Sequence, residues 1–254
     1  MLTNMALNGD RPGAHPPIEQ YLEAIFNLED EGNQVIQARL AERVGHSAPT
    51  VSEMVHRLRA AGFIELHGRA LSLTPPGREV ATSVIRKHRL AERLLTDVIG
   101  LEWHKVHAEA DRWEHVISDE VEVRLAEVLG NPTTCPHGNF IPGSGGGPEP
   151  ATALAEAEIG QRARLVRISA ALELDPDALL YLEHNGFVPG CEATVAAKGP
   201  DGSIVLDTGQ TSIVLGEHLA KLLYAAPVDD CESAPGPGSD PGPGSKARPL
   251  QLLR

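Results

Sequence analysis

The chain has 254 residues, a formal charge of −13, 4% aromatic residues and three cysteines. That length can bury a core, or two to three small ones, without disulfide staples, and no apolar run reaches the ~18 residues a membrane span needs. The acidic balance excludes a protein that coats nucleic acid, but not a small reading head of opposite local charge. Cys135, Cys191 and Cys231 are odd in number and far apart, which points to a reducing cytoplasm rather than a disulfide scaffold.

Residues 1–16 are rich in Gly, Pro and Asn and read as a flexible arm without the basic start and apolar stretch of a secretory signal. From Pro17, the spacing of Ile18, Tyr21, Leu22, Ile25 and Leu28 predicts a helix ending at Gly32-Asn33. Leu40 and Val44 mark a second helix closed by Gly45. Ser47 offers an N-cap to a third helix with Val51, Met54, Val55 and Leu58 on its apolar face. Phe63–Leu66 and Ala70–Leu73 flank a turn and read as a hairpin. Thr74 and Pro75-Pro76 open a long helix to about Ile99. A fifth helix is expected over Glu102–Ser118 and a sixth over Asp119–Leu129. The stretch 144–161 has a linker's composition, with residues 151–161 either a short helix or more linker. Runs at Ala163–Ile168, Glu192–Ala197, Ser203–Leu206 and Ser212–Leu215, interrupted by a helix over Asp175–His184, predict a small β-barrel within 162–227. Residues 228–254 begin with a Pro/Gly-rich tract that cannot form a core and read as disordered.

Helix, tight turn, helix and hairpin over 17–74 make a winged helix-turn-helix. The helix after the turn would present Ser47, Ala48, Pro49, Thr50, Ser52 and Glu53 to base edges. Gln34–Leu73 holds Arg39, Arg43, Arg57, Arg59 and Arg69 against Glu42, Glu53 and Glu65, a local positive surplus inside an acidic chain. Such a reversal is what phosphate contact needs. Gln37, Arg39, Arg57, Arg59 and Arg69 complete the expected DNA contacts. A three-helix bundle with a solvated basic face, or a protein-docking module, would give the same pattern.

The span Arg86–Glu120 is dense in metal-ligand types. At about 100° per residue from Val106, the residues Glu114, His107, Asp111 and His115 fall at about 80°, 100°, 140° and 180°, one stripe beside the apolar face. His88 and Glu92, spaced i, i+4, share a face of the preceding helix. Two packed helices could present these donors to a divalent cation, although a salt-bridged amphipathic face shows the same residues. There is no HExxH, and Cys135-Pro-His137 lacks a second half, so neither a zinc protease nor a zinc ribbon is indicated.

Three stretches, QARLAERVGHSAPTVSEMV, IRKHRLAERLLTDVIGLEWHKVHAEADRWEHVISDEVE and NPTTCPHGNFIPG, strongly resemble the diphtheria toxin repressor family of iron- and manganese-responsive repressors. The likeness is strong over 17–143 and weaker over 162–226, where some members carry an SH3-like domain. The resemblance implies a mainly α chain with a small β part: a winged helix-turn-helix at 17–74, a helical metal-binding and dimerisation domain at 75–143, and an SH3-like barrel. It implies a cytoplasmic homodimer on double-stranded operator DNA, with no membrane and no small-molecule substrate, activated by Mn2+ or Fe2+ at two sites per subunit. His88, Glu92 and His107 match the ancillary site; Glu114 and His115 match the primary site. Two primary-site sulfur ligands of iron-type members are replaced here by Gln20 and Asp111, and Glu23 sits where manganese-type members carry a ligand. Oxygen donors suit Mn2+ and tilt the expectation toward it. Of the two ancillary ligands lent by the third domain, one position is Ala170 and the other Glu173. The family's base-reading Gln matches Glu53, which can accept from cytosine N4. A metal-independent winged-helix regulator and a metallohydrolase are the other classes these residues could serve; the second would need an open coordination position and a substrate cleft.

Overall fold

The computed structural model describes residues 18–228; the expected arm, and the expected tail beyond Val228, lie outside the described residues. Helix α1 (Ile18–Asp30) buries Tyr21, Leu22, Ala24, Ile25 and Leu28, the three-to-four spacing of one apolar stripe. Helix α2 (Gln37–Val44) stops at Gly45, whose φ of 67° lies in the left-handed region. Helix α3 (Ala48–Ala60) starts at Ser47, whose hydroxyl accepts from the Thr50 N–H. Val51, Met54, Val55 and Leu58 close the core with Leu40 and the α1 stripe. Strands β1 (Ile64–His67) and β2 (Ala70–Leu73) form the wing, in the register Ile64 opposite Leu73 and Leu66 opposite Leu71. The Leu71 N–H donates to the Val35 carbonyl at 2.8 Å, tying the wing to the α1–α2 connection.

Thr74 caps α4 (Pro75–Leu94). At Gly77 a side chain would collide with the Phe63 carbonyl, so glycine allows α4 to start against the wing. The expected long helix continues as a π-helical turn over Leu95–Ile99, ended by Gly100. The expected fifth helix is shorter than Glu102–Ser118, with a 3-10 turn over Trp103–Lys105 and α5 over Val106–Trp113, and the expected sixth helix is α6 (Asp119–Val128) on its Ser118 cap. Trp103, in the 3-10 turn, packs into the core of the third domain.

That domain is one antiparallel sheet in the order β3-β8-β4-β5-β6-β7. Its strands are β3 (Thr152–Ala153), β4 (Arg162–Ile168), β5 (Glu192–Lys198), β6 (Ile204–Asp207), β7 (Ser212–Leu215) and β8 (Leu223–Pro227), with helices α7 (Pro176–His184) and α8 (Glu217–Lys221). Phe187, Leu165, Val195, Leu206 and Ile213 fill its core. Among the described residues the end strands β3 and β7 share no ladder, so the barrel is not closed by hydrogen bonds. The stretch expected as linker up to residue 161 belongs in part to this domain: β3 pairs with β8, and Leu154 is fully packed.

The third domain is docked on the second, although the stretch that leads to it has a linker's composition. Trp103 donates its backbone N–H to Glu183 Oε1 at 2.9 Å and its indole N–H to the Pro136 carbonyl at 3.0 Å. His104 pairs with the other oxygen of Glu183. The Ile168 N–H donates to the His137 carbonyl at 3.0 Å, so the loop after α6 is stitched to β4.

Candidate metal centre

Two groups of donors meet where the three domains touch. The outer one lines a cavity of about 250 Å³. Helix α1 supplies Gln20 and Glu23, α5 and the turn after it supply His107, Asp111, Glu114 and His115, and Arg43, Val44, Ala170 and Glu173 also line it. Donor atoms of Glu23, His88 and Glu114 all lie within 4.8 Å of one another. His88 Nδ1 is 2.7 Å from Glu114 Oε2 and 3.4 Å from Asp111 Oδ1. His115 lies between Glu114 Oε1 at 3.1 Å and Glu19 Oε2 at 3.0 Å. Glu19 is therefore an acidic neighbour that the spacing of donor types did not single out. Gln20 is exposed on the same wall.

The inner group centres on Glu92, which is buried. Its Oε1 faces His88 Nε2 at 3.2 Å, His107 Nδ1 at 3.4 Å and His137 Nδ1 at 2.9 Å. Glu173 reaches in from the third domain, 3.5 Å from His107 and 3.6 Å from His137. Asn139 Nδ2 donates to Glu173 Oε1 at 2.7 Å and orients it. Donor atoms of Glu92, Cys135, His137 and Glu173 also fall within 4.8 Å of one another. Cys135 and His137 are the pair set aside for want of a second half. Glu92 and Glu173, remote in sequence, are brought beside them by the fold.

This packing shifts the titrations. Burial, then the charge of Glu114, pushes Glu23 up to about 7. Burial opposes the charge of His88, yet Glu92, Glu114 and Glu23 outweigh it and hold His88 well above the usual imidazole range. His107 is likewise raised: burial opposes its charge, but Glu92 and Glu173 prevail. Burial works against the Glu92 carboxylate, while His137 and His88 hold it well below the usual range. Burial and the adjacent Glu92 and Glu173 keep the Cys135 thiol protonated. Glu92 Oε2 and His137 Nε2 are buried without a hydrogen-bond partner. Carboxylates gathered in one buried place, held by borrowed protons and leaving donor atoms unsatisfied, form an array that fits a divalent cation.

The reading head presents the residues expected at DNA. Ser47, Pro49, Glu53, Arg57 and Arg59 on α3, Arg69 in the wing and Arg39 on α2 are exposed; Gln37, Thr50 and Ser52 are half-buried. Arg43 differs. It turns inward and pairs with Glu31 at 2.6 Å, so it adds nothing to the exposed positive face.

A winged reading head whose first helix walls a buried array of carboxylates and imidazoles defines a metal-dependent DNA-binding regulator. Residues 15–70 match the family model described as iron dependent repressor, N-terminal DNA binding domain. Residues 74–143 match its metal binding and dimerisation domain, and 152–227 match the FeoA domain. The chain is 44% identical over 214 residues to the iron-dependent repressor IdeR of Mycobacterium tuberculosis (strain ATCC 25618 / H37Rv), covering 80% of this chain and 93% of that protein. It is 41% identical over 212 residues to the diphtheria toxin repressor of Corynebacterium diphtheriae, with the same coverage. A solved manganese-dependent transcriptional repressor in complex with manganese superposes with a TM-score of 0.75 at 33% identity, covering 83% of this chain and 100% of that one. The manganese regulator SloR gives 0.70 at 28%, covering 85% and 100%. The chain belongs to the diphtheria toxin repressor family: it is a metal-dependent transcriptional repressor, not an enzyme. Among the described residues no helix is long and apolar enough to cross a membrane.

Proposed function

We propose that this chain is a cytoplasmic homodimer that Mn2+ or Fe2+, with Mn2+ favoured, activates to bind palindromic operators of metal-homeostasis genes. The observation that carries the reading is the outer cavity, walled by Gln20 and Glu23 of the reading head on one side and by Asp111, Glu114 and His115 of the second domain on the other. These five residues would hold one ion. Glu92, His88, His107 and Glu173 would hold a second, with Cys135 and His137 within reach of it. When bound, the ion supplies the positive charge that the gathered carboxylates lack. Glu23 would be a carboxylate there, and Gln20 and Glu23 of α1 with Asp111, Glu114 and His115 would tie the reading head to the second domain, which would set the spacing of two reading heads on successive major grooves. Exposed Val116, Val121, Val123 and Val128 on and before α6, with Val98 and Ile99, supply apolar surface for a second copy. The outer group holds no sulfur, which favours Mn2+ over softer ions.

The test is a gel-shift titration of the protein's own promoter with Mn(II), anaerobic Fe(II), Co(II) and Zn(II), beside chelator-treated protein. Binding should appear only with metal, and at lower free Mn(II) than free Fe(II). Equal binding by chelated protein would sink the switch, and a response to iron alone would sink the preference for manganese.

A further inference from the structure

Helix α1 turns one edge toward the outer cavity, through Gln20, Glu23, Ala24 and Asn27. Tyr21, about 100° around the helix from Gln20, is completely buried in the core of the reading head. Its phenol lies 2.9 Å from His46 Nδ1, and the two rings stack with centroids 5.7 Å apart. His46 stands in the turn between α2 and α3. Its backbone N–H is fixed on the Ala41 carbonyl at 3.2 Å, and the next residue is Ser47, the N-cap of α3. Two residues before His46, Val44 is part of the cavity wall. One tyrosine therefore links the helix that walls the donor array to the residue that precedes the DNA-facing end of α3.

We infer that Tyr21 and His46 are positioning residues that couple occupancy of the outer cavity to the placement of the α3 N-terminus on DNA. The Tyr21 phenol and His46 Nδ1 lie within hydrogen-bond distance, whichever of the two carries the shared proton. A shift of α1 toward α5 then moves the turn with it instead of sliding past it. The inference rests on the metal-switch reading of the outer cavity.

The test measures the ratio of operator affinity with and without Mn(II) by fluorescence anisotropy. The probe is a palindromic duplex selected from a randomised pool by the Mn(II)-loaded full chain. Tyr21→Phe keeps the ring and removes the hydroxyl; His46→Ala removes the ring nitrogen; His46→Gln restores an amide that can pair with the phenol in either sense. The ratio is expected to fall about three- to tenfold in Tyr21→Phe and in His46→Ala, the scale of one net hydrogen bond. The double variant should fall no further, and His46→Gln should recover most of the loss. Mn(II) affinity without DNA should stay within about twofold of wild type. By linkage, the gain in Mn(II) affinity caused by the duplex should shrink by the same factor as the ratio. A bond that only held the fold together would lower the thermal midpoint equally with and without metal and leave the ratio unchanged, and that result overturns the inference. Wild-type protein with a ratio of one overturns the metal-switch reading itself, and the inference with it.

Discussion

His88 belongs to both donor groups: its Nδ1 lies 2.7 Å from Glu114 Oε2 in the outer cavity, and its Nε2 lies 3.2 Å from Glu92 Oε1 in the inner group. Family resemblance alone places it at the ancillary site. These distances make it the shared wall between the two.

His88→Ala should therefore weaken both metal-binding steps in a calorimetric titration with Mn(II), by about 10- to 100-fold each, the range seen when a ligand or its orienting partner is lost. Asp111→Ala and His115→Ala should weaken only the step tied to operator binding. Glu92→Gln should weaken only the other. Loss of one step alone in His88→Ala would show that the imidazole serves a single ion.

Metal affinity should rise with pH. Glu23 titrates at about 7, raised by burial and by Glu114, and His88 and His107 are raised as well. All three must shed protons to act as ligands. The same shifts fix the sign for the metal-free protein. A group whose folded value is raised stabilises the fold below its unfolded value and loses that contribution as pH climbs through the folded value. From about pH 6 to about pH 8 the thermal midpoint of chelated protein should fall while the increment given by Mn(II) grows. Midpoints flat in pH, or an increment that shrinks, would contradict the protonated array.

The helices, the wing and most strands were legible because each announces itself locally: Ser47 and Thr74 as caps, Gly45 and Gly100 as stops, and period-two runs such as Ser212–Leu215. Strand β8 was not, because LYAAP is short and ends in proline; it becomes a strand by lying between β3 and β4. His88, Glu92, Asp111, Glu114 and His115 were legible as helical stripes or by resemblance. Cys135 and His137 were not, since no periodicity links a loop after α6 to Glu92 on α4 or to Glu173 in the third domain. Arg43 misled the charge count, because arginines in sequence do not reveal which one is already paired.

Arg43 also separates two kinds of arginine variant. Arg57→Ala and Arg59→Ala should weaken binding to all duplexes and lower the slope of log affinity against log salt by about one charge each. Arg43→Ala removes one partner of an ion pair whose side chains are only 12% and 7% exposed. It should lower the unfolding free energy by about 3 kcal/mol, the loss of a cationic partner by Glu31, left with Asn33 Nδ2 at 3.3 Å, being the main cost, and leave the salt slope of whatever protein remains folded unchanged. A reduced slope in Arg43→Ala would place that guanidinium on DNA.

Gly138→Ala tests whether the third domain shapes the inner group without touching a ligand. Gly138 has φ +83°, a region side chains disfavour, and a Cβ there would collide with the Val166 carbonyl of β4. The loop carrying Cys135 and His137 must then back away from the sheet, breaking the bond from the Ile168 N–H to the His137 carbonyl. His137 is held on its other side by the Trp103 ring, 4.7 Å between centroids, and Trp103 is anchored by Glu183. The imidazole therefore cannot follow the loop without pulling on the clasp between the domains. The variant should lose the inner metal-binding step while the outer one stays within about twofold of wild type, and the Trp103 side of the clasp should become more open to limited proteolysis. Trp103→Phe keeps an aromatic wall but removes the N–H to Pro136, and should give a weaker version of the same split, about the effect of one hydrogen bond. If Gly138→Ala binds two ions as wild type does, the close approach of loop and sheet is incidental to the metal centre.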